Sequence, residues 1–195
     1  SRGGGGDDVA PSVVPGLGEL GVMLPTTPLH HLLLAEGPPL LVMTSGNLSE
    51  EPIAKDEEDA AVRLGPLVDA ILVHDRPSHT RADDSVVRVA LGAPQTVRRA
   101  RGLAPAPIRL GVDAPPVLAV GAELKSAVCL ARDGEAVLSQ HIGDLGSPEA
   151  RAFFEEVVAK LVRLLGAAPE VVAHDLHPDY ASTRWALAQR LPTVG

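Results

Sequence analysis

Leu40-Leu41-Val42-Met43-Thr44-Ser45-Gly46-Asn47-Leu48-Ser49-Glu50-Glu51-Pro52 is the stretch on which the fold turns. An apolar run ends abruptly in small polar residues. That pattern predicts a buried strand over residues 40–43 that delivers Thr44, Ser45 and Asn47 to the mouth of a sheet. In open α/β sheets ligands sit beyond the carboxyl ends of strands. The hydroxyl of Ser45 and the amide of Asn47 can hold oxygens, and Gly46 lets the backbone come close to a ligand. A plain polar loop accounts for the same residues, so this stretch alone leaves loop and site open.

Upstream, residues 1–20 are rich in Gly and Pro and open with Ser-Arg-Gly-Gly-Gly-Gly, the composition of a flexible lead-in. Residues 21–24 have the pattern of a short strand. Thr26-Thr27-Pro28 then opens a helix that carries His30, His31 and a leucine run, with one histidine expected to be buried and hydrogen-bonded. Downstream, the acidic residues from Asp56 to Asp59 start a helix that runs to about Leu64, a favourable placement of negative charge. Strands are expected over 68–74 and 85–91, separated by a polar loop. A basic segment follows over 96–101, with Arg98, Arg99 and Arg101.

Prolines at 105, 107, 115 and 116 mark a break, and a domain boundary is expected over 108–116. Beyond it, 117–120, 127–130 and 136–140 have strand character, the last two joined across Asp133-Gly134 as a hairpin. Residues 148–165 place Phe153, Phe154, Val157, Val158 and Leu161 at helical spacing. A strand over 171–173 and a helix over 183–190 complete the pattern, which is α/β (α+β) in class.

Composition narrows the function. The net charge of -8 argues against a nucleic-acid face as the main purpose. All aromatic residues lie late, at Phe153, Phe154, Tyr180 and Trp185, so nothing earlier can stack on an adenine ring. A single cysteine, Cys129, excludes a disulfide framework or a cysteine-based zinc site within these residues and suits the core. No signal peptide and no apolar run of membrane-spanning length is present, so a cytoplasmic location without membrane contact is expected. The chain starts at Ser1 and stops at Gly195 after a helical pattern, as a piece of a longer polypeptide would.

Clusters with chemistry in them stand on the loops. Thr44, Ser45 and Asn47 with Arg76, Arg81, Asp83, Asp84 and Ser85 can hold a nucleotide phosphate or an acyl phosphate, because arginines bind phosphate bidentately; surface loops with ion pairs are the plainer alternative. Arg98, Arg99 and Arg101 beside Gly102 can clamp polyphosphate or simply end a strand in solvent. Gly121, Glu123 and Lys125 sit on a turn between two strands, where Lys125 can meet phosphate and Glu123 can orient water or metal. His141 stands at a strand end. The run His174-Asp175-Leu176-His177 invites a metal reading, but histidines three apart outside a helix more often cap or hydrogen-bond, so no metal ligand is assigned.

With these motifs in hand, the chain resembles the hydrogenase-maturation carbamoyltransferases, the HypF family. The matching stretches are residues 20–33, 42–52, His74-Asp75-Arg76-Pro77 with 81–88, 98–102, 117–130, 138–145 and 174–183, in the family's order. The resemblance implies the C-terminal part of a YrdC-like twisted-sheet domain over 21–107, a linker over 108–116, and the N-terminal part of a Kae-type, actin-like domain over 117–195. It implies that carbamoyl phosphate and ATP, with magnesium, give carbamoyl-adenylate, and that the carbamoyl group then passes to the C-terminal cysteine of a HypE-type partner for cyanide-ligand synthesis.

By the same resemblance, Thr44, Ser45, Asn47, Arg76, Arg81, Asp84, Ser85 and Arg99 bind the nucleotide or carbamoyl-adenylate. Gly121, Glu123 and Lys125 form a second phosphate site, and Lys125 and His141 are catalytic. The family's zinc-finger cysteines, its Lys-x-Arg element and its histidine-rich metal motif have no counterpart here, so these residues alone are expected to be inactive. Thr26, Ala82 and Leu103 stand where the family usually has Tyr, Cys and Tyr. A threonylcarbamoyl-adenylate synthase, an O-carbamoyltransferase, or a non-catalytic nucleotide- or RNA-binding module with weak RNA affinity are the competing readings. The His-Asp-Arg-Pro and Asp-Asp-Ser stretches, the domain order and the acidic balance weigh against them in turn.

Overall fold

The computed structural model describes residues 9–49 and 51–195, which fall into two compact units, Ser1–Thr44 and Ser45–Gly195. Of the expected lead-in, residues 1–8 lie outside the described part, and a 3-10 turn, Pro11–Val13, lies inside it.

Helix α1, Pro28–Glu36, dominates the first unit. Thr27 caps it: its side-chain oxygen accepts from the His30 backbone N–H at 3.2 Å, and Pro28 supplies the preset first turn. His30 is half-buried and its Nδ1 accepts from the Thr26 N–H, while His31 is exposed, so neither histidine is buried as expected. The predicted strands over 21–24 and 40–43 do not form. Apolar character alone does not make a strand: a ladder needs a partner edge, and none pairs with these segments among the described residues.

The second unit begins with α2, Glu57–Leu64, capped by the Asp56 carboxylate, which accepts from the Asp59 N–H at 2.9 Å. The strand expected over 68–74 is likewise absent. Strands β1, Val86–Ala90, and β2, Ala93–Arg98, form an antiparallel hairpin closed by Leu91 and Gly92, both at positive φ (54° and 77°). This suits a two-residue loop whose twist matches the strands.

A second, six-stranded sheet runs β3-β6-β5-β4-β7-β8. Its strands are β3 Ile108–Arg109, β4 Val117–Ala119, β5 Cys129–Arg132, β6 Glu135–Leu138, β7 Val171–Ala173 and β8 Thr193–Val194. The pairs β4–β7 and β7–β8 are parallel, the others antiparallel. The β5–β6 hairpin turns at Asp133 and Gly134, both at positive φ, as the sequence predicts. Ile108–Arg109, within the expected proline-rich connection, is itself a strand on the edge of this sheet.

Helix α3, Pro148–Leu165, lays Phe153, Phe154, Val157, Val158 and Leu161 on the sheet and ends at Gly166 in the left-handed conformation. Helix α4, Ala181–Leu187, starts two residues before the expected helix and brings Trp185 edge-on to Phe154 at 5.4 Å. Cys129 is half-buried on β5 rather than fully in the core, and burial raises its thiol pKa. The core cluster lies entirely between Leu118 and Ala186. Among the described residues no helix is long and apolar enough to cross a membrane.

Candidate functional site

Within the second unit a cavity of about 190 Å³ opens where the 45–53 loop, the 81–83 segment, the end of β2 and the 141–143 loop converge. Ser45, Asn47, Arg81, Asp83, Arg98 and His141 all line it. Residues separated by most of the chain thus share one wall-to-wall space.

Asn47 builds the first wall. Its Nδ2 donates to the carbonyls of Leu48 (2.8 Å) and Glu51 (3.0 Å), and Ala54 N–H closes the loop on Gly46 O at 2.8 Å. Both amide hydrogens are therefore spent on the loop. Among the described residues the shielded Oδ1 has no partner, so in this arrangement Asn47 keeps one buried acceptor and has no donor left for a ligand.

Arg81 and Arg98 differ in how firmly they are held. Arg81 Nε donates to Ile53 O at 2.8 Å, and its guanidinium nitrogens face Asp59 (3.5 Å) and Glu156 (3.7 Å). Among the described residues Arg98 has only a 3.7 Å ion pair with Asp83, and its side chain is 42% exposed. An arginine with one long ion pair can turn to an anion at little cost.

His141 forms the opposite wall. Its loop is pinned by backbone bonds between Ile142 N–H and Ser126 O and between Ser126 N–H and Gly143 O, both 2.8 Å. Burial, and then the positive charge of Arg98, lower the pKa of His141; Lys125 adds to this, and Asp83 and Asp144 oppose it. The ring is thus held neutral near pH 7 and able to take a proton.

The remaining expected site residues have other engagements. Ser85 accepts from Ala100 N–H and donates to Arg101 O, both at 2.9 Å, which ties the start of β1 to the segment after β2. Asp84 is bound to Arg101 at 2.6 Å. Arg99 donates from Nη2 to Ala106 O at 2.7 Å. Arg76 lies beside a separate, more open hollow with Lys55, Asp56, Glu57 and Glu58, and not in the cavity of His141. Thr44 closes the first unit, and Ser45 opens the second.

The second expected phosphate site is built as structure. Gly121 has φ 65°, and a Cβ there would stand 2.6 Å from Ala127 O. Glu123 Oε2 accepts from the Ala181 N–H at 2.6 Å, so this carboxylate caps α4. Lys125, at φ 49°, donates its backbone N–H to Asp144 Oδ1 at 2.6 Å and leaves its side chain exposed. His141 faces the first cavity instead of joining Gly121 and Glu123. Among the described residues no group of His, Cys, Asp and Glu converges in a form that holds a metal ion.

Asp83 and Arg98, which the sequence places in two separate phosphate-holding clusters, line the same cavity. β2 ends at Arg98, and side chains alternate faces along extended backbone, so only one of Arg98 and the following Arg99 can share a face with the cavity. The register that decides between them comes from the Leu91-Gly92 turn, which is not a familiar hairpin dipeptide.

A sequence model described as the HypF Kae1-like domain matches residues 112–195, and one described as telomere recombination, covering Sua5, YciO and YrdC proteins, matches residues 5–100. The carbamoyltransferase HypF of Rhizobium leguminosarum bv. viciae is 48% identical over 189 residues, covering 93% of this chain and 25% of that protein. HypF of Synechocystis is 46% identical, covering 94% of this chain and 24% of that protein. The chain therefore spans about a quarter of the length of the curated relatives it matches. A crystal structure of full-length HypF in a phosphate- and nucleotide-bound form superposes with a TM-score of 0.86 at 44% identity, over 90% of this chain and 28% of that one. HypF of T. kodakarensis superposes with a TM-score of 0.73 at 36% identity, over 77% of this chain and 20% of that one.

Proposed function

The chain belongs to the HypF family, and from that premise we propose that it supplies the anion-holding wall of a carbamoyltransferase site. The observation that carries the reading is the convergence of Ser45, Arg98 and neutral His141 on one cavity of about 190 Å³. That space takes a phosphate and a carbamoyl group, and the nucleoside of ATP would extend beyond it. A relative described as phosphate- and nucleotide-bound supports the same ligand class.

In this reading carbamoyl phosphate and ATP are the substrates, and carbamoyl-adenylate is the activated donor. Carbamoyl phosphate loses phosphate to water to give carbamate, whose oxygen bonds the ATP α-phosphorus as pyrophosphate leaves; the carbamoyl carbon then carries AMP as a good leaving group, and Arg98 offsets charge that develops on the phosphate. His141, neutral before the ligand arrives, takes up a proton as the anion enters. The 45–53 loop and the His141 loop shield the reacting group from water, which would otherwise destroy the carbamoyl donor. The acceptor is the C-terminal cysteine of a HypE-type partner protein. Magnesium accompanying the nucleotide fits Asp83, the lining carboxylate with the long 3.7 Å ion pair; Glu51 is held at 2.8 Å by Arg63. Its chemistry there is to neutralise phosphate charge.

A duplex-RNA role finds less support. Arg101 is paired with Asp84 at 2.6 Å and Arg99 is committed to a carbonyl, so of the basic cluster Arg98 alone keeps a loosely held guanidinium, too little for a duplex backbone. The proposed division keeps the YrdC-like part over 21–107 and the Kae-type part over 117–195; separate models matching residues 5–100 and 112–195 support two parts, without fixing these bounds.

Calorimetric titration of the 195-residue chain with ATP, alongside an assay for carbamoyl-phosphate-dependent pyrophosphate release, tests the reading. Binding without release is expected, because Arg98 alone faces the charge of a triphosphate. Absence of binding overturns the ligand assignment, and release overturns the expected inactivity.

A further inference from the structure

Arg81 stands at the meeting point of four elements. Its Nε–H bonds Ile53 O at 2.8 Å, and Nη2 faces Asp59 of α2 at 3.5 Å. Nη1 faces Glu156 of α3 at 3.7 Å, and the guanidinium lies 5.6 Å from the Phe153 ring centroid. Its own carbonyl accepts from Gln140 Nε2 at 2.8 Å, one residue before His141. To reach an anion in the cavity, Arg81 would have to leave both carboxylates.

Glu156 is arranged to hold it there. Its Oε1 takes Lys160 at 2.6 Å and Lys55 at 3.8 Å, leaving Oε2 for Arg81. Burial works against the charge of this carboxyl, but Lys160, Lys55 and Arg81 outweigh it and hold the pKa below the ordinary carboxylate range. Side chains of Arg81 and Glu156 are 20% and 31% exposed, so solvent screening is partial. Asp59 is in turn fixed by Arg63 at 3.0 Å, and Arg63 by Glu51 at 2.8 Å, which returns the network to the cavity wall.

We propose that Glu156 is a positioning residue: from α3 it locks Arg81 as a strut between the 51–53 wall and the His141 wall, and so sets the width of the anion cavity. Arg81 then supports the site without touching the ligand, and Arg98 takes the anion. This inference rests on the cavity being the ligand site, but its first readout does not.

The experiment follows the Arg81 Nε–H resonance by NMR in the 195-residue chain, then titrates ATP, for the parent chain, Glu156→Gln and Glu156→Asp. The expected result is loss of solvent-exchange protection at Arg81 Nε–H in Glu156→Gln and partial loss in Glu156→Asp. ATP affinity should fall roughly threefold to tenfold in Glu156→Gln, the span of coupling inside one charge network, with cooperative unfolding retained. A purely structural role would shift the melting temperature and leave the affinity of the folded protein unchanged. Protection at Arg81 equal to the parent in both variants overturns the proposal. If Glu156→Gln does not fold, Glu156→Asp alone decides by the same criterion. If the parent chain binds no ATP, the ligand reading falls, and the resonance still decides whether Glu156 positions Arg81.

Discussion

Residues 171–173 and residues 68–74 are both apolar, yet only the first are a strand. Val172 is fully buried between β4 and β8. Leu72 and Val73 are 69% and 53% exposed and pair with nothing among the described residues. The same contrast runs through the second unit. From Leu118 to Ala186 the apolar side chains form one core. From Ser45 to Leu103, among the described residues, the only buried apolar side chains are Pro52 and Ala100, and the β1–β2 hairpin shows Val87, Val89 and Val97 to solvent. A sequence states which residues want burial; a strand also needs an edge to pair with and a layer to cover it. The first region is held instead by polar ties: Ser85 to Ala100 and Arg101, and the Glu51–Arg63–Asp59–Arg81–Glu156 chain to α3.

The contrast is most easily broken at the core. Phe154→Ala should cost about 3–5 kcal/mol, because it empties a buried site and removes the edge contact with Trp185. Val89→Ala on the exposed hairpin should change stability by no more than about 0.5 kcal/mol. Urea unfolding followed by Trp185 fluorescence compares them, and equal costs would erase the distinction between the regions.

Gly121→Ala comes next, at about 2 kcal/mol, the cost of a left-handed backbone for a non-glycine residue. The added Cβ also meets Ala127 O at 2.6 Å, so ATP affinity per folded molecule should not change. A selective loss of affinity in the folded variant would instead restore Gly121 to a ligand site.

The smallest effect is electrostatic. His141 has a lowered pKa, so the free protein leaves it neutral at pH 7, and a bound anion favours its protonation. Binding therefore takes up a proton and strengthens as pH falls. Sulfate, whose own charge is constant here, should bind roughly threefold more tightly at pH 6 than at pH 8, a modest linkage to one histidine. In His141→Gln this dependence should vanish; its persistence would place the responsible group elsewhere.

Much of this was legible in advance where local signals agree with the final packing. The helices of Pro28, Asp56 and Pro148 announce themselves by caps and spacing, and Asp133-Gly134 announces its turn. What could not be read is pairing. Residues 21–24, 40–43 and 68–74 carry strand composition, but edges are a property of the whole fold. The engagements of the candidate site residues were hidden for a similar reason. Ser45, Asn47, Arg81 and His141 do meet, while Asp84, Ser85 and Arg99 have the right chemistry and spend it on neighbours. Only three-dimensional competition for partners separates an arginine that holds the fold from one that can hold a ligand.

The choice between Arg98 and Arg76 tests the central claim most directly. ATP binding by calorimetry should fall at least about tenfold in Arg98→Ala, the loss of a charge-assisted contact, and stay at the parent value in Arg76→Ala. Parent-like binding in Arg98→Ala with loss in Arg76→Ala would contradict the account and move the ligand to the hollow beside α2.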